Sequence, residues 1–124
     1  MTDKEIFIEE LKVKTKNIAV RTIKLSQSLP NSREANIIAK QIIRSATSIG
    51  ANYRAACRAR SKAEFFAKLS IVIEEADETQ YWFEILSETN IIEKNKIELL
   101  KKDLDSIVAI LTTARKSVSN SKNT

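Results

Sequence analysis

Hydrophobic positions recur at spacings of three and four in four successive segments, the signature of amphipathic helices. The first segment runs from about residue 4 to residue 28. Phe7, Leu11, Ile18, Leu25 and Leu29 line one face of it. Ile6, Val13 and Val20 line a second, roughly opposite face, because two residues turn a helix by about 200°. A surface helix needs only one apolar stripe, so the second stripe asks for a further partner. The sole proline, Pro30, ends this pattern. Asn31 or Ser32 can cap the next helix, with Glu34 placed to reach back.

The second segment spans about residues 32 to 59. Ala35, Ala39, Ile42, Ala46, Ile49, Tyr53 and Ala56 repeat along it as a stripe with many small members, and small residues let helix axes approach closely. Gly50, the only glycine, lies inside this helix at a cost of roughly 1 kcal/mol relative to alanine, which suggests close packing against a neighbour. Ser61 with Glu64 forms a capping-box pattern, S-K-A-E, opening a third helix that runs to about residue 89. Phe65, Leu69, Val72, Ala76, Phe83 and Leu86 face inward on it, and Asn90 is its expected stop. The fourth segment, about residues 93 to 118, has the clearest heptads. Ile97, Leu104, Leu111 and Val118 hold one register, and Leu100, Ile107 and Ala114 the other.

Four helices with short links predict an all-α, antiparallel up-down-up-down four-helix bundle. The bundle occupies residues 1–118, followed by a polar tail at 119–124 (SNSKNT). A chain of 124 residues with one Gly and one Pro fits a single domain of long helices. The lone Cys57 excludes an internal disulfide. The charged start MTDKEIFIEE lacks the apolar stretch of a signal peptide, and the longest apolar run, IVAIL, is far short of a membrane span. The expectation is a soluble, cytoplasmic protein with no membrane role.

Charge changes the picture through its distribution. The net charge of +5 is modest. Residues 31 to 62 carry seven Lys or Arg and one Glu, whereas residues 63 to 93 carry one Lys and eight Asp or Glu. On a helical wheel Arg33, Lys40, Arg44, Arg54 and Arg58 fall within roughly 80° of one another, a cationic row about 37 Å long. Such a row can follow a phosphate backbone. It holds no aromatic residue to stack bases, which argues against sequence-specific single-strand readout. The same arginines can equally answer the carboxylates of the next helix, within or between subunits. On that next helix Ile71, Glu75, Glu78 and Trp82 gather on a further face, of the kind that makes protein contacts. With Ile6, Val13 and Val20, they predict surfaces buried in a homo-oligomer.

The chain has no histidine, which removes the commonest general base and metal ligand. Glu75 and Glu78 stand one turn apart, as in bundle di-metal sites, but those also need a Glu-x-x-His motif. No catalytic residue, metal site, cofactor or small-molecule substrate is expected, and an enzyme is not predicted.

The run QIIRSATSIGANYRAACRARSKAEFFAKLSIVIEEADETQYWFEIL (residues 41 to 86) resembles the bacterial four helix bundle protein family. This is also known as the 23S rRNA intervening-sequence protein or S23 ribosomal protein family. The resemblance rests on Gln41, Ile42, Arg44, Ser45, Ser48, Ile49 and Asn52 in the second helix. Arg60, Ser61, Glu64 and Phe65 continue it at the junction, and Glu75 and Glu78 in the third helix. It implies a bundle that assembles into a homopentameric ring, with a connection to ribosomal RNA. Ala55 stands where the family usually has Glu, so this chain lacks that carboxylate. A similar branch accompanies reverse transcriptases and is more basic than this chain.

Two readings follow. One is a non-enzymatic oligomer whose second-helix row meets structured RNA. The alternative is a structural or adaptor oligomer with no nucleic-acid role, or an accessory subunit of a reverse transcriptase.

Overall fold

Thr2 starts the first helix with a reciprocal cap: its hydroxyl accepts the Glu5 N–H at 3.1 Å, and the Glu5 carboxylate accepts the Thr2 N–H at 3.1 Å. Helix α1 then runs Asp3–Gln27. The computed structural model describes residues 1–122. Ser32, not Asn31, caps α2 (Arg33–Cys57), accepting from the Ala35 N–H at 3.2 Å. This register puts Ala35 where the reciprocating acid would stand. Glu34 is therefore one position too early to reach back, and it pairs with Arg33 instead. Ser61 caps α3 (Lys62–Glu88) through the Glu64 N–H at 3.1 Å. The Glu64 carboxylate accepts from the Arg60 N–H at 3.3 Å.

The stop after α3 is built on Asn90, whose φ of 61° is left-handed. The Ile91 N–H donates to the Leu86 carbonyl at 3.1 Å and the Asn90 N–H to Ser87 at 3.1 Å, a Schellman closure. The fourth helix begins later than the expected residue 93. A 3₁₀ turn occupies Lys94–Lys96, and α4 proper is Glu98–Lys122. No Ser, Thr, Asp or Asn stands at the position before Glu98 to cap it, and the tighter turn satisfies the Lys96 and Ile97 N–H groups instead. The helix continues through residues 119–122, part of the stretch expected as a tail. Residues 123 and 124 lie outside the described residues.

The four helices close in cyclic order, α1 on α2, α2 on α3, α3 on α4, and α4 back on α1, with the α1–α4 seam the lightest. This is the predicted all-α bundle, and among the described residues there is no strand. Leu11, Ile18, Ile42, Ile49, Leu69, Val72, Phe83, Leu86, Ile97, Leu104 and Leu111 form one continuous core. Each buried side chain of this size contributes about 1.5–3 kcal/mol. Phe7 departs from the expected inward stripe. It is 44% exposed, because it lies at the end of the bundle where the helices part.

Four polar side chains, Thr15, Thr22, Ser45 and Thr79, are buried among the apolar ones. Thr15 stays satisfied by donating to the Leu11 carbonyl at 2.8 Å. Thr79 finds the Glu75 carbonyl and the Ser45 hydroxyl, both at 2.8 Å. Across the seam between α1 and α4, Arg21 donates to Asp103 at 2.7 Å. Between α3 and α4, Gln80 donates to the Lys101 carbonyl at 3.0 Å. Tyr53 is buried, and its phenol is pushed above its usual value, first by burial and then by the neighbouring Cys57 thiol.

Gly50 is the close-packing point that its place in a helix suggested. A Cβ there would meet the Thr15 hydroxyl at 3.4 Å and the Lys16 backbone nitrogen at 3.5 Å. That is ordinary contact for one methyl and leaves no room for more. Gly50→Ala is therefore expected to be neutral or stabilising by up to about 1 kcal/mol. Gly50→Val would push on the α1 backbone and cost roughly 1–3 kcal/mol. Urea denaturation of the two variants checks this pair of opposite signs.

Candidate nucleic-acid interface on α2

Arg33, Lys40, Arg44 and Arg54 on α2 and Arg58, which caps its end, are all exposed, but they do not form one uniform row. Arg33 is turned onto its own neighbour, donating to Glu34 at 2.8 and 3.2 Å. The hydrogen bond from Arg33 lowers the Glu34 pKa. Arg44 reaches across to α3 of the same chain. It donates to the Glu75 carboxylate at 3.0 Å and also to Glu78. Its pKa is raised, first by the hydrogen bond to Glu78, against a desolvation penalty, and then by Glu75. The Trp82 indole N–H donates to the same Glu78 oxygen at 3.3 Å. Glu75, Glu78, Trp82 and Arg44 thus make a single cluster beside the buried Ser45–Thr79 contact.

Lys40, Arg54 and Arg58 have no ion pair or hydrogen-bond partner among the described residues. Register explains this for Arg54, while Glu64, near Arg58, is turned to Arg60 instead. The antiparallel pairing that sets Arg44 beside Glu75 and Glu78 sets Arg54 opposite residues 65 to 70, FFAKLS. That stretch holds a lysine and no carboxylate. Three cations therefore stand in water along one side of α2, spaced over 18 residues or about 27 Å.

The expected contact residues of the oligomer fall on two separate helices. Ile6, Val13 and Val20 lie on the outer side of α1, where Val13 is 67% exposed. Ile71, at the margin of exposure, and the half-buried Trp82 lie on α3. In the cyclic order α1 and α3 are diagonal corners, so the two sets belong to different faces. Trp82 also stacks edge-on against Tyr81, centroids 5.1 Å apart, and packs on the core. Sequence reasoning missed Ile37, which is 55% exposed between Arg33 and Lys40, at the edge of the cationic side of α2. Its signal was present, as an apolar residue one turn before Lys40 with no place in the core stripe. No helix among the described residues is long and apolar enough to cross a membrane.

Residues 9–113 match the family model of the 23S rRNA-intervening sequence protein. The chain belongs to this family. It is also similar to the crystal structure of a protein with unknown function from the S23 ribosomal protein family of Bacteroides thetaiotaomicron VPI-5482. The two are 40% identical, with a TM-score of 0.80 over 86% of this chain and 98% of that one. No curated protein matches the chain. Arg44, Glu75 and Glu78, through which the resemblance was read, are the residues of the ion-pair cluster described above. Ala55 is half-buried on α2.

The Arg44 cluster is half in solvent, with the Arg44 side chain 49% exposed, so its worth is discounted to the scale of exposed pairs. Arg44→Ala is expected to cost about 1 kcal/mol. Glu78→Gln should shift the emission of Trp82, the sole tryptophan, while Glu74→Gln leaves it unchanged. Fluorescence spectra with urea titrations of the three variants measure both effects.

Proposed function

We propose that the chain is a non-enzymatic, cytoplasmic, self-assembling bundle that contacts structured RNA through the outer side of α2. Lys40, Arg54 and Arg58 make the phosphate contacts, flanked by Arg33 and Arg44. The observation that carries this reading is the set of three exposed cations whose side chains make no ion pair among the described residues. Unpaired cations can neutralise phosphates without first giving up an internal partner, whereas Arg44 would have to leave Glu75 and Glu78. Contacts of this kind release counterions, and binding about three phosphates gives a slope near −2 to −3 in log K against log salt.

Assembly is the second part of the proposal. Two apolar sets on diagonal helices favour a heterologous contact, in which one face of a copy meets a different face of the next. Contacts of that kind close into rings, and the family resemblance implies a ring of five. The alternative, an adaptor oligomer with no nucleic-acid role, draws support from two features of α2. Its middle arginine is already consumed by Glu75 and Glu78, and Ile37 interrupts the cations with apolar surface.

Anisotropy titrations of a labelled ribosomal RNA hairpin at several salt concentrations separate the two readings. Arg54→Glu with Arg58→Glu should weaken binding at least tenfold and flatten the salt slope, while Arg44→Glu does less. Absence of binding at low salt would leave the adaptor reading standing alone.

Light scattering tests the assembly. The native chain should give several times its 14.0 kDa chain mass, and Val13→Asp with Val20→Asp should return it to a single chain. A native mass equal to one chain would overturn self-assembly.

A further inference from the structure

The up-down-up-down order brings the start of α1, the end of α2, the start of α3 and the end of α4 to one end of the bundle. There the helices part around a cleft of about 650 Å³. Its floor is apolar, formed by Leu11, Leu69 and Leu111, all buried. Its openness has a plain cause in the sequence. At the level where a bundle would normally place large side chains, Ala56, Cys57, Ala59 and Ala114 line the walls. Phe7 and Phe65 stand at its sides without filling it, Phe7 exposed and Phe65 half-buried. From Leu111 to Val118 the α4 wall rises about 10 Å.

The charges of the cleft are one-sided. The ionised side chains that line it are Lys4, Arg60 and Lys62, and among the described residues no Asp or Glu lines it. Glu64 lies just outside, 3.8 Å from the Arg60 guanidinium, and Arg60 is almost wholly exposed. An apolar chamber rimmed by cations complements a molecule with an apolar body and one anionic end. The size is that of ordinary ligand sites, about 300–1,000 Å³.

We propose that this cleft binds a single-chain amphiphile with an anionic head, of the medium-chain carboxylate class. The tail lies over Leu11, Leu69 and Leu111, and the head meets Lys4 and Arg60. The site is independent of the α2 row and of any RNA contact. Desolvation of the tail supplies the affinity, and the rim supplies the orientation.

Isothermal titration of the full chain with dodecanoate, below its micelle-forming concentration, tests the proposal. The expected result is saturable binding of one dodecanoate per chain. Butyrate, with the same head and almost no tail, and dodecan-1-ol, with the same tail and no charge, should each bind at least tenfold more weakly. Ala114→Phe, which fills the chamber from the α4 wall, should abolish binding while helicity by circular dichroism is kept. Lys4→Glu with Arg60→Glu, both on the exposed rim, should weaken dodecanoate about tenfold and leave dodecan-1-ol unaffected. This rim pair decides the matter if the filled variant fails to fold. Absence of saturable dodecanoate binding overturns the proposal, as would happen if another copy of the chain covered the cleft. Equal affinity for dodecan-1-ol, or rim variants that bind dodecanoate as the native chain does, would overturn the assignment of the anionic head.

Discussion

The contact between Ser45 on α2 and Thr79 on α3 fixes how these two helices face one another. Two small hydroxyl side chains meet at 2.8 Å in a layer otherwise filled by apolar groups. Each hydroxyl also meets a carbonyl of its own helix, Ser45 that of Ile42 at 3.3 Å and Thr79 that of Glu75 at 2.8 Å, so neither is left unpaired without the other and their contact adds specificity of facing. Rotating α3 by one residue, about 100°, would separate the two hydroxyls and place Thr79 against hydrocarbon. The same rotation would carry Glu75 and Glu78 away from Arg44. The facing of α2 and α3 that brings Ser45 to Thr79 is thus the same facing that brings Arg44 to Glu75 and Glu78.

Small side chains have two different consequences in this bundle, depending on what occupies the space they leave. At Gly50 the backbone of α1 comes in to fill it, and α2 gains a close crossing at Thr15 and Lys16. At Ala56, Cys57, Ala59 and Ala114 no backbone comes in, since the helices are already parting at the end of the bundle, and a cleft remains. The same residue types therefore give tight packing at mid-height and open volume at the end. Phe7 shows the transition. It continues the stripe of Leu11 and Ile18 but lies beyond the level where α2 and α4 can cover it.

Much of the fold was legible because its determinants are local. The S-K-A-E cap, the heptads of the last helix and the stop at Asn90 act within a few residues of chain. What was not legible depends on another helix. Thr15, Thr22, Ser45 and Thr79 are polar by type and fell outside any apolar stripe, yet they are buried. The hydroxyls of Thr15, Ser45 and Thr79 return to carbonyls of their own helix, and Ser45 and Thr79 also meet each other, so they behave as small core residues, whereas the buried Thr22 hydroxyl finds no partner among the described residues. The cap of α2 shows how narrow the margin is. Choosing Ser32 rather than Asn31 moves Glu34 from the reciprocating position to the one before it, and the acid turns to Arg33. For the candidate site, the five cations were readable as a row, and partnership was left open because it is a matter of register between helices.

That register rests on how charge is ordered along α3. Its acids are concentrated at Glu74, Glu75, Asp77 and Glu78, with Glu84 and Glu88 farther on, whereas the stretch from 62 to 73 carries only Glu64. In an antiparallel pair the first half of α3 lies against the second half of α2, where Arg54 and Arg58 stand. Had the acids been spread evenly, every arginine of α2 would have found a carboxylate, and the side would be electrically quiet. Concentrating them over one turn neutralises Arg44 and leaves the other end of α2 positive. The cations of the end cleft, Lys4, Arg60 and Lys62, fall in this same region. A small net charge thus conceals an uneven distribution, and the order of acids along α3 decides that Arg44 is paired within the chain while Arg54 is not.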